Sequence, residues 1–324
     1  MRVTVLAGGY GGAKLSHGLA LEAAKRLSSG ASPITLDIIV NTGDDLVLHG
    51  LHVSPDLDTV MYTLAGLAND ETGWGILDET WSAAAQLERY GAPTWFRLGD
   101  RDLATHIRRT EQLRAGERLT EVTLRLAAAL EVRARLLPMS DQPVRTELLT
   151  DDGWLEFQDY FVRRGHRDEV HEIRQGGIET ARPTPEVLDA IRAADLIVFA
   201  PSNPFVSVGT ILALHGMNEA LTSAPARIVA VSPIVAGEAL RGPADQMLAS
   251  LGGEASAHGV AAHYTTRHPG LLDAFVIDRA DAGAAATIEA LDLEVLVTET
   301  VMRDHEDRRR LAAEILDRFA PTGG

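Results

Sequence analysis

Short apolar runs that end abruptly in glycine-rich or polar loops constrain the fold of this chain more than any other feature. The runs occupy residues 3–7, 35–40, 196–200 and 227–231, with stretches of helical spacing between them. Wholly apolar runs are typical of strands buried on both faces, and strands that alternate with helices predict a parallel sheet. Because such sheets bind ligands at the carboxyl ends of their strands, we expect the chemistry in the loops at 8–12, 41–45, 201–204 and 232–237.

The order of these elements predicts an α/β fold: a Rossmann-like, doubly wound and mostly parallel sheet with a smaller subdomain. Residues 1–58 and 176–324 form the predicted nucleotide-binding core. Residues 59–175 form the predicted helical and α+β cap. Helical spacing dominates the cap as far as about residue 137. Asp151-Asp152-Gly153 then favours a β-hairpin, because Asp-Gly suits a tight turn.

Composition excludes several classes of protein and of site. The net charge of −16 disfavours nonspecific nucleic-acid binding, which depends on clustered Lys and Arg. The chain has no cysteine, so disulfides, thiolate nucleophiles and cysteine-bound metals are excluded. No uncharged run is long enough to span a bilayer, and the N-terminus lacks a signal-peptide pattern. We therefore expect a cytoplasmic protein without nucleic-acid or membrane partners.

The glycine run after the first strand is a candidate phosphate-binding turn. Gly8, Gly9, Gly11 and Gly12 precede a helix whose free N–H groups and dipole attract anions, and Lys14 adds a positive charge. A strand-to-helix turn without a ligand is the alternative interpretation. Lys14 stands where the dinucleotide fingerprint has its third glycine. The spacing therefore favours a mononucleotide or a nucleotide-activated substrate over NAD.

Four aspartates lie within a span of fifteen residues after the second strand. Asp44, Asp45, Asp56 and Asp58 offer hard oxygen ligands for Mg²⁺ beside phosphate groups, where one or two carboxylates usually suffice. Asp56 or Asp58 could instead cap the helix predicted to begin near Thr59. From the residues alone both interpretations stay open.

Two other loops carry candidate polar groups. The stretch 97–102 alternates charge around a glycine, and Arg97 suits a phosphate or carboxylate, although the spacing alone favours a solvated turn. Ser202 and Asn203 lie between two prolines, where they could contact a purine edge or a phosphate or simply form a turn. No Gly-x-Ser-x-Gly elbow or His-x-x-x-His pair is present. Direct displacement assisted by a metal is therefore the simpler chemistry.

In order along the chain, these motifs resemble the 2-phospho-lactate transferase family of coenzyme F-420 synthesis, including bacterial members with an enolpyruvyl donor. The resemblance covers nearly the whole chain. It rests on Ala7-Gly8-Gly9-Tyr10-Gly11-Gly12-Ala13-Lys14, Asn41-Thr42-Gly43-Asp44-Asp45, Ser54-Pro55-Asp56-Leu57-Asp58-Thr59, Leu98-Gly99-Asp100-Arg101-Asp102-Leu103-Ala104-Thr105-His106, Ala200-Pro201-Ser202-Asn203-Pro204 and Ser232-Pro233-Ile234. Tyr10 departs from the pattern, since many relatives have a small residue there.

The resemblance implies a transferase that joins a guanylyl-activated phospho-acid to the deazaflavin alcohol Fo. The Fo hydroxyl would attack the phosphorus that carries the lactyl or enolpyruvyl group, giving F-420-0 or its dehydro form and releasing GMP. Asp58 and Arg97 are implied as Fo contacts, and Asp45 and Asp58 as catalytic residues. Mg²⁺ is the implied cofactor, with Asp44, Asp45 and Asp58 as its candidate ligands.

The same resemblance implies a guanosine diphosphate site and a homodimer. The expected nucleotide-binding residues are Gly9, Gly11, Gly12, Lys14, Ser202 and Asn203. Which phospho-acid is transferred stays open among phospholactate, phosphoenolpyruvate and phosphoglycerate. One alternative is a nucleotide-sugar-binding regulatory protein of the related gluconeogenesis-factor group, which shares the Gly-Gly opening but is disfavoured by the stretch 98–102. The other is an NAD-dependent oxidoreductase, which the glycine spacing disfavours.

Overall fold

The computed structural model describes residues 1–321 and contains strands β1 to β14 and helices α1 to α12. The strands are β1 (Arg2–Ala7), β2 (Thr35–Val40), β3 (Leu46–Leu48), β4 (Leu51–Val53), β5 (Arg135–Pro138), β6 (Arg145–Thr150), β7 (Gly153–Glu156), β8 (Glu172–Gly176), β9 (Leu196–Phe199), β10 (Arg227–Val231), β11 (Ile234–Val235), β12 (Glu238–Ala239), β13 (Ala274–Asp278) and β14 (Glu294–Thr298).

The helices lie between and around these strands. They are α1 (Gly9–Ser28), α2 (Pro55–Leu64), α3 (Ser82–Arg89), α4 (Asp100–Arg114), α5 (Leu119–Ala129), α6 (Pro185–Arg192), α7 (Val208–Leu212), α8 (Met217–Thr222), α9 (Ala244–Ser250), α10 (Ala257–Arg267), α11 (Ala285–Glu289) and α12 (His305–Phe319). Asp159–Arg163 forms a π-helical turn and Arg279–Ala284 a 3-10 helix. No helix in residues 1–321 is long and apolar enough to cross a membrane.

Seven parallel strands form the central sheet, in the order β14-β13-β10-β9-β1-β2-β5. The chain starts at β1, extends in one direction to β2 and β5, and extends in the other to β9, β10, β13 and β14. Val3 of β1 lies opposite Leu36 on one side and Leu196 on the other. The strand order therefore reverses between β1 and β9, which is the position where open parallel sheets bind ligands.

Alternate residues of each strand supply two separate cores, one on each face of the sheet. Leu6, Ile39 and Phe199 point into the core that is shared with α6, α7, α8 and α10. Val5, Ile38 and Val198 point into the core that is shared with α1, α2, α5 and α12. Burial on both faces explains why the strands are mostly apolar, and the sheet confirms the predicted doubly wound α/β class.

Several elements differ from their predicted positions. The helix after β1 begins at Gly9, so the glycine run is its first turn rather than a loop before it. Helix α2 begins at Pro55 instead of near Thr59, which places Asp56 and Asp58 inside its first turn. Residues 135–138, where helical spacing was expected, form edge strand β5 and pair with β2. Strand β13 was not anticipated.

The segment predicted as the cap contains helices α3, α4 and α5 and a small antiparallel sheet in the order β7-β6-β8. The hairpin expected at Asp151-Asp152-Gly153 is confirmed, since β6 and β7 are joined by Asp151 and Asp152. Strand β5 lies within the same segment but belongs to the central sheet. The boundaries of the cap at residues 58–59 and 175–176 stay a prediction.

Close packing of α1 on α12 leads to a stability prediction for Gly18→Ala. A Cβ at Gly18 would overlap the backbone carbonyl of Arg308, which cannot move without moving α12. We expect the variant to lose about 1–3 kcal/mol of unfolding free energy, as overpacked cores do. Urea unfolding checks this. Gly283→Ala is the control, because nothing lies within 4 Å of its added Cβ; equal midpoints for both variants would contradict the prediction.

Candidate functional site

The glycine-rich first turn of α1 is tied to the loop after β9 and to the start of α2. Gly8 N donates to Ser202 Oγ at 3.1 Å, and the same hydroxyl donates to Gly8 O at 2.8 Å. Gly9 N donates to Asp56 Oδ1 at 2.8 Å. The carboxyl ends of β1 and β9 therefore meet where the strand order reverses.

The glycines of this turn are needed for different structural reasons. Gly9 has φ +60, and a Cβ there would meet only Asp56 Oδ1 at 4.0 Å, so its outer side is open. A Cβ at Gly11 would overlap the carbonyl of Pro201, and one at Gly12 would lie 2.9 Å from Ser202 Oγ. Packing without a ligand accounts for Gly11 and Gly12. The open side of Gly9 leaves room for an anion at the helix N-terminus.

The other predicted nucleotide contacts make internal contacts in this structure. Lys14 is half-buried, and its Nζ donates to Met302 O at 2.6 Å. Ser202 is buried, and its hydroxyl accepts a hydrogen bond from Gly8 N. Asn203 Oδ1 accepts from Phe205 N at 2.9 Å. The Ser202 and Asn203 side chains thus organise their own loop, and nothing in the geometry aims them at a ligand.

Asp44 and Asp45 lie in the loop after β2 and have oxygens without partners. Asp45 Oδ2 accepts from Ser54 Oγ at 2.7 Å and lies 2.9 Å from His52 Nε2. Oδ1 of Asp44 and Oδ1 of Asp45 are buried, and neither has a hydrogen-bond partner in residues 1–321. A cavity of about 10 Å³, the size of one water molecule, borders both residues.

Burial disfavours the ionised forms of these carboxyls. It raises the pKa of Asp44 well above its usual value, and the neighbouring charge of Asp56 raises it further. It also raises the pKa of Asp45, against the opposing hydrogen bond of His52. Burial raises the pKa of Asp56 to about 6, although Asn41 and Gly9 donate to this carboxyl. A bound cation or shared protons would relieve this repulsion.

Asp58 belongs to a buried ionic cluster between α2 and α4. Arg109 donates hydrogen bonds to both of its oxygens, with Nη1 at 3.0 Å from Oδ2. His106 Nδ1 lies 3.6 Å from Asp58, and His106 Nε2 lies 3.1 Å from Asp102 Oδ1. Tyr62 donates to Asp102 at 2.8 Å. Neither Asp56 nor Asp58 is the cap of α2, because the N-cap position is Ser54.

This cluster has the composition of a possible metal site. Ligand atoms of Asp58, Asp102 and His106 all lie within 4.8 Å of one another. A cation there would have to displace Arg109 from at least one oxygen of Asp58. Asp102 keeps a lowered pKa despite burial, because His106 and Tyr62 both contact it.

Asp102, His106 and Arg109 were not recognised as members of the site from the sequence. Their spacing of four and then three residues places them on one face of α4, which is the signal that could have revealed them. The solvated turn expected at 97–102 holds only in part, since Arg97 and Arg101 are exposed but residues 100–102 form the first turn of α4. Asp100 accepts from Ser82 N and Ala83 N at 3.0 and 2.9 Å and thereby caps α3.

Arg97 lies at a cavity of about 360 Å³, on the other side of the first turn of α4. Its guanidinium is 4.2 Å from the centre of the Trp81 ring. The cavity is lined by His49, Trp81, Ala84, Ala85, Leu87, Glu88, Thr94, Phe96, Arg97, Leu98 and Leu103. Leu103 faces the cavity while its neighbour Asp102 contacts Tyr62 and His106. Helix α4 therefore borders both the cavity and the ionic cluster.

Comparison with known proteins places the chain in one family over nearly all of its described length. The family model described as 2-phospho-L-lactate transferase CofD matches residues 3–318. A phosphoenolpyruvate transferase from Kitasatospora aureofaciens is 45% identical over 321 residues, which cover 98% of this chain and 97% of the relative. One from Streptomyces griseus subsp. griseus is 45% identical over 322 residues, covering 98% of each chain.

A solved structure supports the fold alone. The crystal structure of a UPF0052 family protein from Bacillus halodurans superposes with a TM-score of 0.64 at 16% identity, covering 97% of this chain and 98% of that chain.

The family match confirms the predicted class, a phospho-acid transferase of coenzyme F-420 biosynthesis, and it does not favour the regulatory alternative. By the extent of that match, and by the identity of relatives that align from end to end, the chain belongs to the 2-phospho-L-lactate transferase CofD family.

Proposed function

We propose that this enzyme transfers the enolpyruvyl phosphate group of a guanylyl-activated donor to the hydroxyl of Fo. The relatives at 45% identity bear the name phosphoenolpyruvate transferase, which favours this acid over phospholactate and phosphoglycerate. The observation that carries the proposal is that α4 borders both an aromatic cavity and the Asp58 cluster. A ring held in the cavity would thereby lie near buried carboxylates.

The cavity beside Arg97 is the proposed Fo site. Its volume of about 360 Å³ falls in the usual range for small-molecule pockets. Trp81 and Phe96 supply flat apolar walls, and Arg97 supplies a cation that can contact the oxygens of a deazaflavin. His49, at φ +52 in the turn between β3 and β4, closes another side.

We propose that Asp44 and Asp45 hold Mg²⁺, with Asp58 as the third predicted ligand. The fit rests on the two buried oxygens without partners and on the small adjoining cavity. Mg²⁺ accepts one or two carboxylates and completes its shell with water and phosphate oxygens. When bound, it would neutralise charge on the transferring phosphoryl group. Asp58 can join only if Arg109 releases an oxygen.

In the proposed reaction the Fo hydroxyl oxygen forms a bond to the phosphorus that carries the enolpyruvyl group. The bond between this phosphorus and the bridging oxygen of GMP breaks, and GMP leaves with the bonding electrons. Asp58 is the candidate to orient the hydroxyl or accept its proton, and Arg109 fixes the direction of its carboxylate. The first turn of α1, with Gly9 open to solvent, would bind the guanosine diphosphate part.

Two finer features belong to the proposal. A cytoplasmic location is proposed, in keeping with the family match. A homodimer is proposed from the family resemblance.

Fo binding, followed by its fluorescence, tests the cavity. We expect saturable binding that Arg97→Met weakens about tenfold, since a cation lost from a partly desolvated site costs roughly 1–2 kcal/mol. Arg174→Met is the matched control, because Arg174 also stacks on a tryptophan, Trp154, 3.9 Å from the ring centre and outside the cavity. Equal affinity of the two variants would exclude this cavity as the Fo site.

Two aspartate variants distinguish the candidate metal sites. We expect Asp45→Asn to abolish Mg²⁺ binding in calorimetry and to lower turnover by about a hundredfold or more, because a carboxylate ligand is lost. Asp102→Asn should retain Mg²⁺ binding, since its carboxylate serves Tyr62 and His106. The reverse pattern would move the metal to the cluster of Asp58, Asp102 and His106.

Asp58→Asn is expected to reduce turnover about a hundredfold while GDP still binds, because the proposal assigns Asp58 to the acceptor and not to the nucleotide. The variant leaves Arg109 buried without its carboxylate, so the unfolding free energy should also fall by about 3–5 kcal/mol. GDP calorimetry at a temperature where the variant stays folded separates the two effects. Wild-type turnover in a folded variant would leave Asp58 only a structural role.

A further inference from the structure

Three basic side chains from distant parts of the sequence gather around Tyr10, in the first turn of α1. Lys14 Nζ lies 4.6 Å from the centre of the Tyr10 ring, and Arg241 Cζ lies 4.8 Å from it. The Tyr10 hydroxyl donates to Asp70 Oδ1 at 2.9 Å, and Arg308 Nη2 donates to Asp70 Oδ2 at 2.8 Å. Three cations therefore surround one ring and one carboxylate.

Two of these cations have only neutral partners. Lys14 donates to the carbonyl of Met302, and Arg241 donates to the carbonyls of Glu71 and Thr72. Within residues 1–321, no carboxylate lies within ion-pair distance of Lys14 or Arg241. The nearby carboxylate, Asp70, is already engaged by Arg308.

Burial makes this excess of positive charge unfavourable. Burial lowers the pKa of Lys14, and the charges of Arg308 and Arg241 lower it further, against the opposing charges of Asp70 and Asp307. Arg308 is 1% exposed, and its Nε has no hydrogen-bond partner among the described residues. An oxyanion placed beside Lys14 and Arg241 would compensate these charges.

The group lies beside the proposed donor site. Tyr10 directly follows Gly9, whose outer side is open. Arg241 comes from the loop after β12, which follows the carboxyl end of β10. Arg241 is exposed, so its guanidinium can exchange the carbonyls of Glu71 and Thr72 for a ligand without unfolding a core.

We propose that Lys14 and Arg241 form an oxyanion subsite beside Tyr10 that binds the phospho-acid end of the guanylyl-activated donor. This proposal rests on the proposed function and assigns Arg241 to substrate binding. The oxyanion is either the phosphate that follows the GMP part or the carboxylate of the acid. Both suit the planar fork of arginine, which binds such groups through two parallel hydrogen bonds.

Calorimetry with GDP and GMP, together with the KM for the donor, tests the subsite in Arg241→Met. If the oxyanion is the phosphate, the variant loses about tenfold in GDP affinity and binds GMP unchanged. If it is the carboxylate, both nucleotides bind normally and the KM for the donor rises about tenfold. In either case the salt dependence of donor binding becomes weaker, because one cation is lost.

Arg192→Met is the control, since Arg192 is an exposed arginine at the end of α6 and its change of charge is the same. If Arg241→Met matches this control in GDP affinity and in KM while the wild type forms product, the subsite is wrong and the proposed function stands. A wild type that neither binds GDP nor forms product would overturn both.

Arg241→Lys separates charge from structure. It keeps the cation but cannot bridge Glu71 and Thr72 in the same way. We expect it to lose less GDP affinity, or to raise the KM less, than Arg241→Met does, because the charge remains while the paired hydrogen bonds of the guanidinium are lost. A loss as large as that of Arg241→Met, accompanied by a lowered melting temperature in both variants, would make Arg241 a structural clamp and overturn the proposal.

Discussion

A single buried carboxylate, Asp56, holds together the segments that build the site. One oxygen accepts from Gly9 N in the first turn of α1, and the other accepts from the side-chain amide of Asn41 at 2.9 Å. Asn41 in turn accepts from Gly43 N at 2.8 Å, which shapes the loop that carries Asp44 and Asp45. Because the two groups that donate to Asp56 follow the ends of β1 and β2, the glycine-rich turn and the acidic loop keep a fixed relation to each other.

The electrostatics of the site follow from how many acids this arrangement collects. Asp44, Asp56, Asp58 and Asp102 are buried, and Arg109, which is also buried, pairs with Asp58. Burying unpaired carboxylates is unfavourable, so such a set persists in proteins when a cation or protons complete it. Around Tyr10 cations are in excess, so an anion would stabilise that group in the same way. The two groups flank the first turn of α1 and differ in the ligand charge they favour.

Most of the sheet and part of the site could be predicted from the sequence, for physical reasons that particular residues illustrate. Strands β1, β2, β9 and β10 are buried on both faces, and their apolar runs reveal them directly. Strand β13 has the same signal in Phe275, Val276 and Ile277, but it was not singled out. Strand β5 gives a weak signal, because Leu136 and Leu137 continue a stretch rich in Leu, Ala and Arg.

The ionic cluster around Asp58 could not be predicted from local sequence patterns, for a different reason. The buried guanidinium of Arg109 is paired with Asp58, which lies 51 residues earlier in the chain. Spacing within α4 cannot reveal that partner. Ser202 is an example of the opposite error. Its hydroxyl was expected to contact a nucleotide, but it is hydrogen-bonded to the backbone of Gly8. Patterns along the chain locate polar groups, and tertiary contacts decide how many of them remain free.

For the acceptor site proposed above, helix α4 has a consequence that follows from the two sites it borders. It contacts the aromatic cavity through Leu103 and the carboxylate cluster through His106, and about 4.5 Å of helix axis separates these positions. Its first turn is fixed by Glu79, which accepts from Arg101 N and Asp102 N at 2.8 and 3.0 Å. A rigid helix of this kind acts as a molecular ruler. Among alcohols with the same ring, it would select those whose side chain has the length to span from the cavity to the cluster.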